Sequence, residues 1–291
     1  MKSSLLPFIF TASIILMIAC DPQPAGSIQS ERYLDITPTS IRVSPTYQST
    51  VGPAELPTST LTRIYPTQTP EIHMCSPLPG YNFDQIEAAI CNSYNPPVLG
   101  SDDPHQGVDL AVEMSGMAVT GNPVQAVLDG FVAAIVEDRF PYGIAIMVET
   151  PLEKIPLAWM EVLHIPAVIP TLTPHPSLTC PDISPQPTWN IEERSLYLLY
   201  AHLLEREDFH LGDEIRCGDT IGKIGQSGNA LNPHLHLEAR VGPANTRIES
   251  MGHYDPRMSK EEMYYYCIWR VSGIFQLLDP VLLLENIPLM N

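Results

Sequence analysis

From Cys75 onward, the apolar residues of this chain occur in short runs separated by glycine, proline and aspartate, and few stretches show helical spacing. Such runs are typical of β-strands joined by tight turns. The pattern predicts a mostly β fold, with a single antiparallel β-sheet or barrel-like sandwich in one domain. The predicted strands are Val108 to Val112, Val124 to Leu128, Phe131 to Glu137, Ile144 to Glu149, Leu196 to His202, Thr220 to Ile224 and Leu235 to Val241.

Three segments of residues 75–291 depart from this pattern. Phe83 to Cys91 has apolar residues at helical spacing and is a predicted short helix. Residues 151–194 contain nine prolines and are expected to be a long, partly ordered insertion. Arg257 to Leu278 is rich in aromatic residues and is a predicted helix packed on the sheet.

Residues 1–20 have the organisation of an export signal. Lys2 precedes an apolar run from Leu5 to Ala19, which is short for a membrane span. The run ends in Met17-Ile18-Ala19-Cys20, which resembles a bacterial lipoprotein signal and implies cleavage before Cys20 and lipidation of that cysteine. Several acyl chains would hold the protein on a membrane stably. The alternative is an ordinary secretory signal in which Cys20 occurs by chance.

Residues 21–74 are rich in proline, threonine and serine. This composition buries too little apolar surface to fold and predicts a disordered tether with a reach on the order of 100 Å. The expected organisation is therefore a domain over residues 75–291, held outside the cytoplasm in the cell envelope.

Charge and cysteine usage exclude two classes of function. The net charge is −18, without a Lys/Arg cluster, which argues against nucleic acid binding. No C-x-x-C motif occurs, so a cysteine zinc site is not expected. In an exported chain the five cysteines after Cys20 are candidates for disulfides, and Cys75 with Cys91 is the pairing we expect.

Four of the nine histidines lie in three short motifs. His234 and His236 alternate with leucines, so on a strand both project from one face, about 7 Å apart. His105 and Asp109 flank a turn at Gly107 that enters a strand, and they are able to converge. One histidine of the first motif would complete a three-ligand site for Zn²⁺ with an open coordination position, as in catalytic zinc sites.

The third motif is Tyr200-Ala201-His202-Leu203. On a regular strand His202 shares a face with Tyr200 and points away from Leu199, Ala201 and Leu203. His202 is then the expected companion of the metal site.

Together these motifs resemble the M23 peptidases, the group that contains lysostaphin, LytM and peptidoglycan DD-endopeptidases. The resemblance extends to Gly218-Asp-Thr-Ile-Gly222, to Gly225-Gln-Ser-Gly228 and to Pro123-Val-Gln-Ala126 followed by Asp129-Gly130. It covers roughly residues 103–241 without the proline-rich insertion, and Asp279-Pro280 resembles the usual end of the domain.

The resemblance implies a domain of the LytM type, with zinc bound by His105, Asp109 and His236. It also implies that one of His202 and His234 acts as the acid/base and the other as the oxyanion donor, in either order. All five family positions are filled and the chain begins with an export signal, which together favour an active, membrane-anchored zinc metalloendopeptidase that cleaves peptide bonds in peptidoglycan. In place of the family's short glycine-rich hairpin, this chain has the insertion at residues 151–194.

Two other functions are compatible with the same sequence. One is a catalytically idle module that binds cell wall or regulates a partner hydrolase. The other is a zinc peptidase acting on a secreted protein or peptide.

Overall fold

The computed structural model describes residues 72–167, 176–286 and 289–290, with backbone alone for residues 286, 289 and 290. The predicted signal peptide with Cys20 and residues 21–71 of the predicted tether lie outside the described residues. Ile72 and Met74 are buried in the core, so the folded part includes residues ahead of Cys75. Within the described ranges, no helix is both long enough and apolar enough to cross a membrane.

Strands make up most of the regular structure in these ranges. The strands are β1 Met74–Cys75, β2 Ile90–Asn92, β3 Val108–Leu110, β4 Glu113–Met114, β5 Met117–Ala118, β6 Pro123–Gln125, β7 Gly130–Arg139, β8 Gly143–Pro151, β9 Arg194–Arg206, β10 Glu214–Ile215, β11 Thr220–Ile224, β12 Leu235–Pro243, β13 Gln276–Leu278 and β14 Leu289–Met290. The helices are α1 Phe83–Ala89, α2 Leu157–Val162, α3 Lys260–Arg270 and α4 Pro280–Asn286, with a 3₁₀ turn at Leu152–Lys154.

Ten of these strands form one sheet, whose main path runs β10-β7-β8-β9-β12-β3-β2. β11 joins β6 to β9, and β13 pairs with β12. Every pairing between these ten strands is antiparallel. The prediction of a mostly β fold with a large antiparallel sheet is confirmed, and each predicted strand overlaps an observed one.

The sheet is buried on both faces at its centre. Along β12, Leu235, Leu237, Ala239 and Val241 pack into one core together with Tyr200. The opposite face packs against α3 in a second core that includes Tyr197, Leu199 and Trp269. Two buried faces explain why β9 reads as a nearly continuous apolar run rather than a strict alternation.

The proline-rich insertion begins directly after β8 and ends at β9. Its first part carries the 3₁₀ turn and α2, and it buries Ile155 and Leu163 in the core. Residues 168–175 lie outside the described ranges. The predicted helix of the aromatic-rich segment is confirmed as α3, whose N-terminus is closed by a capping box between Ser259 and Glu262.

The expected pairing of Cys75 with Cys91 is wrong, because Cys75 is bonded to Cys217. The N–H of Cys75 donates to the carbonyl of Val127, and the N–H of Gly218 donates to that of Ala126. Both cysteines therefore lie against the segment that follows β6. A second disulfide joins Cys180 of the insertion to Cys267 of α3.

Candidate metal centre

Three predicted site residues bring one donor atom each to a common point. His105 Nε2 lies 3.1 Å from Asp109 Oδ1 and 3.2 Å from His236 Nδ1. Asp109 Oδ1 lies 2.7 Å from His236 Nδ1. Two imidazole nitrogens and one carboxylate oxygen, all turned toward each other, are a donor set that suits zinc.

The sheet determines where two of these donors lie. Asp109 on β3 is the direct cross-strand partner of His236 on β12. His105 precedes β3 and forms an isolated bridge with Asn95. Gly107 allows the close approach, since a Cβ there would lie 2.6 Å from the Leu237 carbonyl oxygen and 2.8 Å from the His236 ring.

Hydrogen bonds orient the rings of the two histidines. His105 Nδ1 lies 2.9 Å from the carbonyl oxygen of Ser93, which only accepts, so Nδ1 carries a proton and Nε2 presents its lone pair. His236 Nε2 lies 3.2 Å from Glu238 Oε1. Each ring therefore has one nitrogen held by the protein and the other directed at Asp109.

Asp109 is buried and ionised. Burial alone would raise the pKa of its carboxyl, but hydrogen bonds to His105 and His236 outweigh burial and hold the pKa well below its usual value. The second oxygen accepts a hydrogen bond of 3.0 Å from Asn92. His236 is likewise buried, and its contacts with Asp109 and Glu238 raise its pKa to about 9.

His202 and His234 flank this donor set. Their ring centroids are 4.8 Å apart, and the His202 ring is 5.6 Å from that of His236. His202 Nδ1 donates to the Ser227 carbonyl and His234 Nδ1 donates to the Asn232 carbonyl, both at 2.8 Å. Both rings then have Nε2 free of a proton in the neutral form.

Both flanking histidines are neutral at pH 7. Burial, with the nearby rings of His236 and His234, lowers the pKa of His202 to about 3. Burial also lowers the pKa of His234, against the attraction of Asp109. Neutral imidazoles beside a metal site are able to accept a proton.

The prediction that His202 shares a face with Tyr200 is wrong. Tyr200 packs in the first core, whereas the ring of His202 lies with His234 and His236 at the other face. The cause is a register shift between β8 and β9, where Ile144 pairs with Leu203. His202 sits at this bulge with a φ of 60°, so the backbone turns its side chain to the opposite face.

Ser227 supports the bulged segment. Its Oγ accepts a hydrogen bond of 2.9 Å from the N–H of Ile144 and donates one of 2.7 Å to the Leu203 carbonyl. Its own carbonyl holds the His202 ring. Ser227, within the Gly225-Gln-Ser-Gly228 motif, thus ties the loop before β12 to the strand that carries His202.

A group of charged residues near His236 was not predicted from the sequence, namely Asp102, Glu238, Arg240 and Arg270. Glu238 and Arg240 continue the alternation that begins at His234, since every second residue of β12 faces the same side. Extending the His-x-His motif by two more steps along the strand would have found these two residues. Arg270, at the end of α3, left no comparable signal.

No family model matches the chain. The catalytic domain of the antimicrobial peptidase lysostaphin from Staphylococcus simulans is 19% identical over 66% of this chain and 89% of that domain, with a TM-score of 0.33. A variant catalytic domain of the prophage-encoded M23 protein EnpA from Enterococcus faecalis is 20% identical over 53% of this chain and 82% of that one, with a TM-score of 0.31. A zinc-containing peptidase from Vibrio cholerae is 21% identical, covering 57% of this chain and 35% of the peptidase, with a TM-score of 0.31.

Proposed function

We propose that this chain is an exported zinc metalloendopeptidase of the M23 type that hydrolyses peptide bonds in peptidoglycan. One observation carries the proposal: three donor atoms from two buried residues and one half-buried residue meet at one point, and two neutral histidines flank them. The ordered motifs that contain these five residues resemble those of M23 peptidases. Similar solved structures include lysostaphin, an antimicrobial peptidase, and a zinc-containing peptidase.

His105, Asp109 and His236 would hold the ion. Their two nitrogens and one oxygen form the three-ligand set of a catalytic zinc site, which keeps one coordination position open. When bound, zinc would act as a Lewis acid that makes hydroxide available near neutral pH and polarises the scissile carbonyl.

His202 and His234 would move the protons. The Nε2 of one ring accepts the proton of the attacking water, and the same proton then passes to the nitrogen of the leaving amine. Once its Nε2 has taken a proton from solvent, the other ring would donate from that nitrogen to the negative charge on the carbonyl oxygen. Because each Nδ1 donates to a backbone carbonyl, both rings keep their orientation during the proton transfers.

The proposed location is the outer surface of a membrane. Residues 1–20 resemble a lipoprotein signal, with Cys20 as the lipidated residue, and residues 21–74 would act as a tether. Disulfides at Cys75–Cys217 and Cys180–Cys267 fit an oxidising compartment. We propose no nucleic acid partner, since the net charge is −18.

The test is the release of new amino groups from purified peptidoglycan by the purified chain, with and without added zinc. We expect zinc-dependent release that Asp109→Ala abolishes, and mass spectrometry of the products to identify the bond. No release from folded, zinc-loaded protein would contradict the peptidoglycan substrate. A secreted peptide substrate, or an idle wall-binding module, would then take its place.

A further inference from the structure

Glu238 is the most heavily hydrogen-bonded carboxylate near the candidate metal centre. It is fully buried, and its Oε1 contacts Arg270 Nη1 at 2.6 Å, the Tyr142 hydroxyl at 2.8 Å and His236 Nε2 at 3.2 Å. Its Oε2 accepts from Trp269 Nε1 at 2.8 Å and from Arg240 Nη2 and Nε at 3.0 and 3.1 Å. Each oxygen therefore has three donors around it.

Two arginines compensate the buried charge. Arg240 lies on the same strand and stacks over the Trp269 ring at 4.8 Å. Arg270 is shared, because its Nε donates to Asp102 Oδ1 at 2.6 Å while its Nη1 donates to Glu238. Two carboxylates and two guanidinium groups thus balance, which allows Glu238 to stay ionised away from water.

An ionised carboxylate accepts hydrogen bonds and donates none. His236 Nε2, 3.2 Å from Glu238 Oε1, must therefore carry its proton. The other nitrogen, Nδ1, lies 2.7 Å from Asp109, and it would bind the ion beside Asp109 and His105 with release of the proton that it shares with Asp109. A hydrogen-bonded carboxylate behind a ligand histidine both orients the ring and increases its basicity.

We propose that Glu238, held by Arg270 from α3 and by Arg240, is a positioning residue that fixes His236 for metal binding. Helix α3 thereby becomes part of the metal centre, although it lies outside all three histidine motifs. This inference rests on the proposed metal site and adds to it the residues that determine its affinity.

The experiment measures zinc affinity directly, by competition of the purified chain with a chromogenic chelator at constant pH. In Glu238→Gln we expect affinity to fall about 10- to 100-fold, the range seen when residues behind metal ligands are changed. Arg270→Gln should show a similar fall, and Arg270→Lys should recover part of it because it keeps the charge. Circular dichroism and urea unfolding show which variants are folded.

Arg139→Gln is the matched control. It removes an ion pair of 2.6 Å between β7 and Glu262 of the same helix, and it does not touch Glu238. We expect wild-type zinc affinity in this variant. Equal falls in Arg139→Gln and Arg270→Gln would overturn the proposal, because loosening of α3 would then explain both.

A milder variant keeps the proposal testable if Glu238→Gln does not fold. Tyr142→Phe removes one hydroxyl from Glu238 Oε1 and leaves every charge in place, and we expect about a threefold loss of zinc affinity. Wild-type affinity in folded Glu238→Gln, or in Tyr142→Phe where the former does not fold, would overturn the positioning role. Wild-type protein that binds zinc but cleaves no peptidoglycan would instead contradict the proposed function alone.

Discussion

Asp109 on β3 lies directly opposite His236 on β12, and the carboxylate oxygen of the first is 2.7 Å from the ring nitrogen of the second. The antiparallel register therefore brings together two residues that are 127 positions apart in the chain. His105 joins them from the turn ahead of β3. This relationship makes Asp109 the residue whose loss should damage the metal site most.

We expect Asp109→Ala to lose bound zinc, because the remaining donors are two neutral nitrogens without the negative charge that holds a divalent ion. Metal content per chain after gel filtration, measured by mass spectrometry, should fall from near one to near zero. His210→Ala is a suitable control, since this histidine is exposed. Unchanged zinc content in Asp109→Ala would remove Asp109 from the ligand set.

His234→Ala should keep zinc and lose turnover, because His234 flanks the three donors rather than completing them. Loss of one acid/base group costs about 10² to 10⁴ in rate. His202→Ala should behave in the same way, as its ring lies 5.6 Å from that of His236. The measurement is the rate of amino-group release at saturating zinc, and full activity in either variant would exclude that histidine from the mechanism.

The strands and the approximate site were predictable from sequence, because alternation in β12 places histidines on one face and leucines on the other. Two features were not. The bulge at His202 depends on a register shift between β8 and β9, which no local pattern records. The partners of Glu238 come from α3 and from Asp102, and only the folded chain brings them to β12.

The predicted pairing of Cys75 with Cys91 was wrong for a similar reason. Cys75 and Cys91 are close in sequence, but Cys75 joins Cys217, 142 residues away. Backbone hydrogen bonds at Ala126 and Val127 bring these two distant segments side by side. Long-range proximity of this kind follows from sheet topology rather than from spacing.

The stability of the domain should fall in acid as the Asp102 carboxylate is protonated. Burial raises the pKa of Asp102, but the charge and hydrogen bonds of Arg270 outweigh burial and lower it. A group whose pKa is lower in the folded state stabilises the fold above its unfolded pKa of about 3.9 and loses that contribution as pH falls through the folded value.

Urea unfolding between pH 2 and pH 6 measures this dependence. Asp102→Asn should lower the free energy of unfolding at neutral pH and flatten the decrease in acid. Asp208→Asn is the control, because Asp208 is exposed. If the free energy of unfolding of Asp102→Asn falls in acid as steeply as that of the wild type, other groups cause the decrease.

The disulfide between Cys180 and Cys267 should stabilise the attachment of α3 to the insertion. It closes a loop of 87 residues, for which chain entropy predicts about 4.6 kcal/mol of stabilisation. Replacing both cysteines with serine should lower the melting temperature and, because α3 carries Arg270, should also weaken zinc binding. A lower melting temperature with wild-type zinc affinity would show that α3 keeps its position without the disulfide.

Cys20 should carry lipid in the protein isolated from its native cells. We expect the wild-type chain in the membrane fraction with a mass increased by acyl chains, and Cys20→Ser in the soluble fraction without them. Mass spectrometry of the N-terminal peptide, without reduction, reports whether the Cys20 sulfur is in a lipid thioether or in a disulfide. A disulfide at Cys20 would contradict the anchor and favour an ordinary secreted protein.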